Sequence, residues 1–341
     1  ADVPLGAFLS GGIDSSTIVA LMQSVSDRPV KTFSVGFEDA AFNEAAFAGE
    51  VARHLKTDHT ELYVTPQDAL DLVPKLSETY DEPFFDSSAI PTYLISALTR
   101  KEVTVALSGD GGDETFGGYT RYLWARQLSK AAGSIPFGAS MVARMLTMLS
   151  PEQWDNLVGL VPGGSATSAI GDKIHKAAPL LAIKDDLDRY HALLSLFDTD
   201  TLLGRREGRK KIRVPGEKFC RNRNLDYVSS MQVMDTMMYM VDDVLTKVDR
   251  ASMANSLEGR VPFIDHRVIE FGWRLPAHLK LNGSVGKYAV RQILYKYVPR
   301  ELIDRPKTGF GVPLAQWLRG PLREWMGDHL ANDALYNDLG L

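Results

Sequence analysis

A single cysteine, Cys220, stands in the 341 residues of this chain. An internal disulfide, a Cys-rich zinc site and a CxxC redox pair are therefore excluded. A reducing, cytoplasmic setting is compatible with that count. No apolar run approaches the roughly 20 residues of a membrane span. The N-terminus lacks a basic segment followed by an apolar one, so no signal peptide is read there. An excess of positive charge is missing as well: 38 Lys+Arg stand against 43 Asp+Glu, a net charge of -5. Such a chain is not built to wrap nucleic acid or coat an anionic membrane. The seven histidines follow no metal-ligand spacing, and no repeat or low-complexity tract is present. Neither G-x-x-x-x-G-K-[ST] nor G-x-G-x-x-G occurs at the glycines that open the chain, which removes the ordinary P-loop and Rossmann readings. What remains is a globular composition, 45% hydrophobic and 24% charged, long enough for one large domain or two. The opening Ala1-Asp2-Val3-Pro4 runs into an apolar stretch within a few residues, as an excised domain would.

The first 120 residues alternate short apolar runs with helical patterns. Strands are expected over Pro4–Leu9, Val30–Phe37, His59–Val64 and Val103–Leu107. Helices are expected from Asp14, over Asn43–Leu55, over Pro66–Tyr80 and over Ala89–Leu98, the last capped by Asp86. This alternation predicts an α/β fold, a parallel twisted sheet with helices on both faces, with ligands at the carboxyl ends of its strands. Beyond that, helical periodicity dominates, interrupted at Gly163-Gly164 and Pro215-Gly216. The expected regions are a core over 1–125 and a mostly helical region over 126–341.

Two segments carry chemistry. Ser10-Gly11-Gly12-Ile13-Asp14-Ser15-Ser16 sits between a strand and a helix. Its glycines let backbone N–H groups turn toward a ligand, the helix adds the positive end of its dipole, and three hydroxyls add donors. That is an anion cradle of phosphate or pyrophosphate size. Asp14 would repel a bare phosphate and so points to a bridging Mg²⁺. A plain Gly turn with Asp14 as helix cap is the alternative that the whole string disfavours. The second segment runs from Ser108 to Tyr119, with five glycines and three acids in twelve residues, a content that predicts an irregular loop. If the sheet is parallel, this loop opens on the same edge, and Asp14 and Asp113 can hold one Mg²⁺ across a polyphosphate. An exposed acidic turn is its alternative; a calcium loop lacks the EF-hand spacing.

The string S-G-G-x-D-S resembles the pyrophosphate loop of the ATP-pyrophosphatase superfamily. Ser108-Gly109-Asp110-Gly111-Gly112-Asp113-Glu114-Thr115-Phe116-Gly117-Gly118-Tyr119 resembles the asparagine synthetase family specifically. So do Thr32–Phe37, Tyr80–Pro83, Asp86-Ser87-Ser88, Lys247–Met253, Leu257–Asp265, Lys287-Tyr288 and Arg305–Gly311, over nearly the whole chain. The resemblance implies ATP and Mg²⁺ as cofactors. It assigns Ser10, Gly11, Gly12, Ser15 and Ser16 to the β,γ-phosphates, and Leu9, Val35, Ser108 and Gly109 to the adenosine pocket. It gives Asp14 and Asp113 to magnesium, Lys287 to pyrophosphate, and Lys307 to the charge that develops at the reacting phosphate. Asp110 stands where many members carry Glu, at the group thought to take protons from ammonia. The implied reaction adenylates the side-chain carboxylate of aspartate and transfers ammonia to it, giving asparagine, AMP and pyrophosphate. The implied partners are these small molecules and an N-terminal glutaminase domain that this chain lacks; a homodimer is an assembly the resemblance allows. The same chemistry on another carboxylate, such as a sugar acid, is an alternative, as is a nucleotide-binding regulatory module. Tyr is usual at the Asp110 position in β-lactam-forming relatives, which counts against them.

Other features are assigned bland roles. Arg205–Arg223 holds nine basic and two acidic residues and reads as a solvated face. Met231, Met234, Met238 and Met253 read as core or interface filler. Asp249, Glu258, Arg260 and Asp265 read as scaffold ion pairs or substrate contacts.

Overall fold

The computed structural model describes residues 2–39, 42–134, 138–159, 170–195, 215–305 and 311–330. Five parallel strands form one sheet: β1 (Leu5–Phe8), β2 (Lys31–Phe37), β3 (Asp58–Val64), β4 (Val105–Leu107) and β5 (Glu258–Arg260). Their order across the sheet is β3-β2-β1-β4-β5. The chain builds outward from β1 to β3, then returns to the other side of β1 to lay down β4. A crevice opens where the winding reverses, outside the carboxyl ends of β1 and β4.

Helices lie on both faces. α1 (Ile13–Ser24) and α2 (Ala45–Leu55) pack over Ala7 and Leu9, through Val19, Ala20, Ala48 and Val51. α3 (Pro66–Thr79) and α4 (Ala89–Arg100) cover the opposite face, where Phe33, Val35 and Phe37 of β2 meet Leu72, Ile90 and Ile95. β2 is buried along almost its whole length, as a central parallel strand must be. β3 is the edge strand and alternates exposed with partly buried residues.

The expected α/β architecture is present. β5 is the strand that periodicity missed. Glu-Gly-Arg has no β signature; backbone bonds from Glu258 N–H to Thr104 O (3.0 Å) and from Ser108 N–H to Arg260 O (2.9 Å) hold it beside β4. Asp86 is not the side-chain cap of α4. The cap position is Ser88, and Asp86 Oδ1 instead accepts from the Ser88 N–H and hydroxyl. The second glycine-rich segment is not wholly irregular either. Gly112–Phe116 forms a short helix, α5, with Asp113 and Glu114 in its first turn, where acids favour the helix dipole.

Two compact units result, and they do not follow a 1–125/126–341 division. The sheet unit comprises Ala1–Phe116, Met240–Leu275 and Lys287–Leu341, because β5 pairs with β4 and helix Tyr288–Leu294 packs on α1. The other unit, Gly117–Tyr239 with Pro276–Gly286, is mostly helical. Its core holds Tyr122, Tyr190, Met231 and Met234 around a buried Asp235, whose Oδ2 accepts from both tyrosine hydroxyls and from Arg121. Met253, by contrast, is exposed and fills no core. Cys220 is buried, its thiol pKa raised by desolvation, as a bland thiol's would be. Among the described residues, no helix is long and apolar enough to cross a membrane. Gly163-Gly164 and residues 205–214 of the basic run lie outside the described residues.

Candidate active site

β1 ends at Phe8, and the Leu9 N–H donates to Phe33 O at 2.8 Å. The chain then turns at Gly11, which has φ +70; a Cβ there would lie 2.9 Å from Ala48 N and Phe47 C. Only glycine combines that dihedral with that approach to α2. Gly12 is the N-cap of α1 and supplies no side chain to its first turn. The loop is braced from within. Ser10 and Ser15 hydroxyls lie 3.0 Å apart, the Ser10 N–H donates to Ser15 Oγ at 3.1 Å, and the Gly12 N–H donates to Ser10 Oγ at 3.3 Å. Ser16 is fully buried.

The loop after β4 is pressed against the first. A Cβ on Gly109 would stand 2.7 Å from Ser15 N, and one on Gly112 would stand 2.5 Å from Asp14 Oδ1. Asp14 and Asp113, from different strand ends, converge on one cation. Lys287 Nζ lies 2.7 Å from Asp113 Oδ1 and is also ion-paired with Asp14 Oδ2. Burial alone would lower the Lys287 pKa, but the Asp113 and Asp14 carboxylates outweigh it and hold the amine above the ordinary lysine value. Lys287 adopts φ 54 at the N-cap of helix Tyr288–Leu294, an uncommon backbone for a non-glycine residue.

Asp110 feels the charges of Asp113, Lys287 and a further lysine, Lys247. Its Oδ2 accepts from Ser108 Oγ at 2.5 Å. Desolvation raises its pKa; the Ser108 hydrogen bond and the charges of Lys247 and Lys287 oppose this, and Asp113 adds to it. Ser108 is buried beside β5 through its bond to Arg260 O.

Leu9 and Val35 are both buried, with their side chains in the cores on the two faces of the sheet. The register sets where the Val35 backbone groups point. β1 pairs with β2 only as far as Phe33, whereas β3 pairs through Phe37. Phe33 O faces β1, so two residues on the Val35 N–H and C=O face the same way, past the end of β1. Lys307 lies outside the described residues.

Three groups near the loops had no role from the sequence alone. Arg305 stacks on Phe47, 4.0 Å from its ring centroid, and donates to Ser10 O at 3.4 Å. Its neighbour Asp304 pairs with Arg291, on the helix that starts at Lys287, at 2.6 Å. Lys247 pairs with Asp86. Glu258 and Arg260 form an exposed pair at 2.7 Å, and Asp265 caps the helix His266–Arg274 while pairing with Arg267. For Glu258, Arg260 and Asp265, the contacts seen are those of a scaffold.

The chain is matched over residues 1–338 by the model of a family described as asparagine synthase. It is 34% identical over 329 residues to asparagine synthetase [glutamine-hydrolyzing] 1 of Bacillus subtilis, covering 96% of this chain and 49% of that protein. It is 34% identical over 332 residues to a putative asparagine synthetase [glutamine-hydrolyzing] of Mycobacterium tuberculosis H37Rv, covering 95% and 47%. A shorter match of 124 residues, 36% of this chain and 24% of the relative, is 50% identical to putative asparagine synthetase [glutamine-hydrolyzing] 2 of Methanocaldococcus jannaschii. The chain thus spans about half the length of the curated relatives that it matches end to end.

Proposed function

This chain belongs to the asparagine synthase family, and on that premise we propose that it is the synthetase half of a glutamine-dependent asparagine synthetase. The observation that carries this reading is the convergence of Asp14 and Asp113 on the Lys287 ammonium at the carboxyl ends of adjacent strands. That geometry suits a polyphosphate. The α1 N-terminus and the Ser10–Ser16 loop receive the β,γ-phosphates, and Lys287 supplies a cation to the departing pyrophosphate. The Val35 edge receives adenine. Two carboxylates that already meet at one cation are a fitting oxygen donor set for Mg²⁺. Bound there, Mg²⁺ would neutralise charge on the polyphosphate.

Asp110 is the group assigned to act at the acceptor. A carboxylate oxygen of aspartate attacks the α-phosphorus of ATP, and the bond to the bridging β-phosphate oxygen breaks. Pyrophosphate leaves, and an acyl-adenylate forms. Ammonia nitrogen then attacks the acyl carbon, Asp110 takes a proton from that nitrogen, and AMP departs with the C–O electron pair. A desolvated carboxylate with a raised pKa is a better base than an ordinary aspartate. Lys307 steadies the charge on the reacting phosphate and on the tetrahedral intermediate. Ammonia comes in the whole protein from a glutaminase half, and Mg²⁺, a cytoplasmic location and a homodimer complete the reading.

The test is release of AMP and pyrophosphate from Mg·ATP with ammonium, with and without L-aspartate. Aspartate-dependent AMP matched by asparagine is the expected result. AMP release indifferent to aspartate would redirect the reading to another carboxylate.

A further inference from the structure

Two family motifs without a role, Asp86-Ser87-Ser88 and the segment starting at Lys247, are brought together by the fold. Lys247 Nζ donates to Asp86 Oδ2 at 2.6 Å and to Ser88 Oγ at 2.8 Å. Both side chains stay partly open, 13% exposed for Lys247 and 23% for Asp86. Those two bonds use two of the three ammonium protons. Among the described residues, Asp86 Oδ2 accepts from Lys247 alone, and so keeps acceptor capacity.

A scaffold role for this pair is weak. Helix Thr246–Ala254 is already fastened to the same segments by other means. Arg250 pairs with Asp81 at 2.6 Å, Tyr80 OH donates to Lys247 O at 3.4 Å, and Asn255 Nδ2 donates to Tyr93 O at 3.3 Å. Val248, Ala251 and Ser252 are buried on the same helix. A largely desolvated ion pair returns little net stability over apolar packing. What it does offer is one positive and one negative group side by side, the Lys247 charge acting also on Asp110.

That is the complement of a zwitterion. We propose that Lys247 and Asp86 form the acceptor subsite, Lys247 receiving the α-carboxylate and Asp86 the α-ammonium of an amino-acid substrate. The subsite rests on the synthetase reading above and narrows it to an amino acid, because a sugar acid has no ammonium for Asp86. Binding keeps the two protein charges satisfied, each partner exchanging part of its contact with the other for contact with the ligand.

The experiment compares three acceptors in the ammonium-dependent AMP assay: L-aspartate, succinate, which lacks the α-ammonium, and β-alanine, which lacks the α-carboxylate. Unsubstituted protein should prefer aspartate over each analogue by about 100-fold or more in kcat/KM, since a site built for a polar group rejects its absence strongly. Asp86→Asn should cut the aspartate-to-succinate preference by about tenfold and spare the aspartate-to-β-alanine preference. Lys247→Gln should do the reverse, and Lys247→Arg, which keeps the cation, should restore it. A scaffold pair predicts something else: all three acceptors fall together, both preferences hold, and the thermal midpoint drops. That outcome overturns the subsite. So does comparable use of succinate and aspartate by the unsubstituted protein, a result that needs no variant. No AMP with any acceptor would instead overturn the synthetase reading itself.

Discussion

Lys287 reaches Asp113 over 2.7 Å while its backbone sits at φ 54, so an uncommon dihedral delivers a buried cation to the carboxylate that follows β4. The same ammonium contacts Asp14 at the start of α1. One side chain thus ties the ends of two strands that adjoin in the sheet but lie far apart in the chain.

Removing that cation leaves two carboxylates facing each other. Lys287→Met should lower stability by about 3–5 kcal/mol, the cost of breaking a buried pair from one side. Urea unfolding measures it. Aspartate-dependent AMP release should fall by at least about 100-fold, given the size of a lost preorganised charge. Unchanged stability would mean that the carboxylates do not depend on Lys287.

Gly109 and Gly112 allow the two loops to touch. Gly109→Ala sets a methyl against the Ser15 backbone nitrogen, which has no flexible end to yield. A loss of about 1–3 kcal/mol is expected. Nucleotide affinity, measured by calorimetry, should fall with it. An Ala variant with native ATP affinity would show that the loops tolerate separation.

Asp110→Asn keeps the shape and removes the carboxylate proposed as the base. Asparagine formation should fall by about 10²–10⁴-fold, the usual range for a general base. Adenylation, followed as exchange of pyrophosphate into ATP, should fall much less. Because desolvation raises the Asp110 pKa, the acid limb of amide formation should lie above the ordinary aspartate value of 3.8. Equal loss of both half-reactions would remove Asp110 from the base role.

His59 links stability to pH. Its ring nitrogens face Thr32 Oγ1 at 2.9 Å and Ser34 Oγ at 3.2 Å, and burial lowers its pKa below 6.5, with Glu61 opposing. The unfolded chain therefore binds a proton at a pH where the folded chain does not. The contribution of His59 to stability is fully present above pH 6.5 and is lost as pH falls through the folded pKa. Thermal midpoints between pH 8 and pH 5 on a ~1-unit grid should fall toward acid, and His59→Gln should flatten that slope. An unaltered slope would assign the effect to other groups.

Arg305 braces the first loop from behind. A double-mutant cycle of Arg305→Ala with Phe47→Leu should return a coupling of about 0.5–1 kcal/mol for the stacked pair. Arg305→Ala should also raise KM for ATP, because Ser10 O loses its donor. Zero coupling would make the stacking incidental.

How much of this was legible without coordinates differs by element. β1 through β4 and α1 through α4 were readable because each carries its own pattern: a short apolar run or a helical repeat ended by glycine, proline or a polar turn. The glycine turn into α1 at Ser10–Ser16 was readable for the same reason, since its glycines and first-turn acid act on neighbours in the chain. β5 was not, because Glu258-Gly259-Arg260 is a strand only through backbone bonds to β4. The role of Asp86 as an α4 cap was misread, because Ser88, directly before the helix, holds the cap position; Asp86 Oδ1 accepts from Ser88 and its Oδ2 from Lys247, 161 residues away.

The sequence by itself determined the alternating α/β order, the two glycine-rich loops and the identity of the groups on them. Those are local properties, set by side-chain period and by backbone freedom at single residues. Tertiary structure alone decided that Asp14 and Asp113 share Lys287, that Lys247 and Asp86 stand side by side, and that Val35 overhangs β1. Each depends on strand order, register and the return of distant helices to one sheet edge. Such placement follows from packing the sheet unit around the two apolar faces of its sheet, and no local run of residues encodes it.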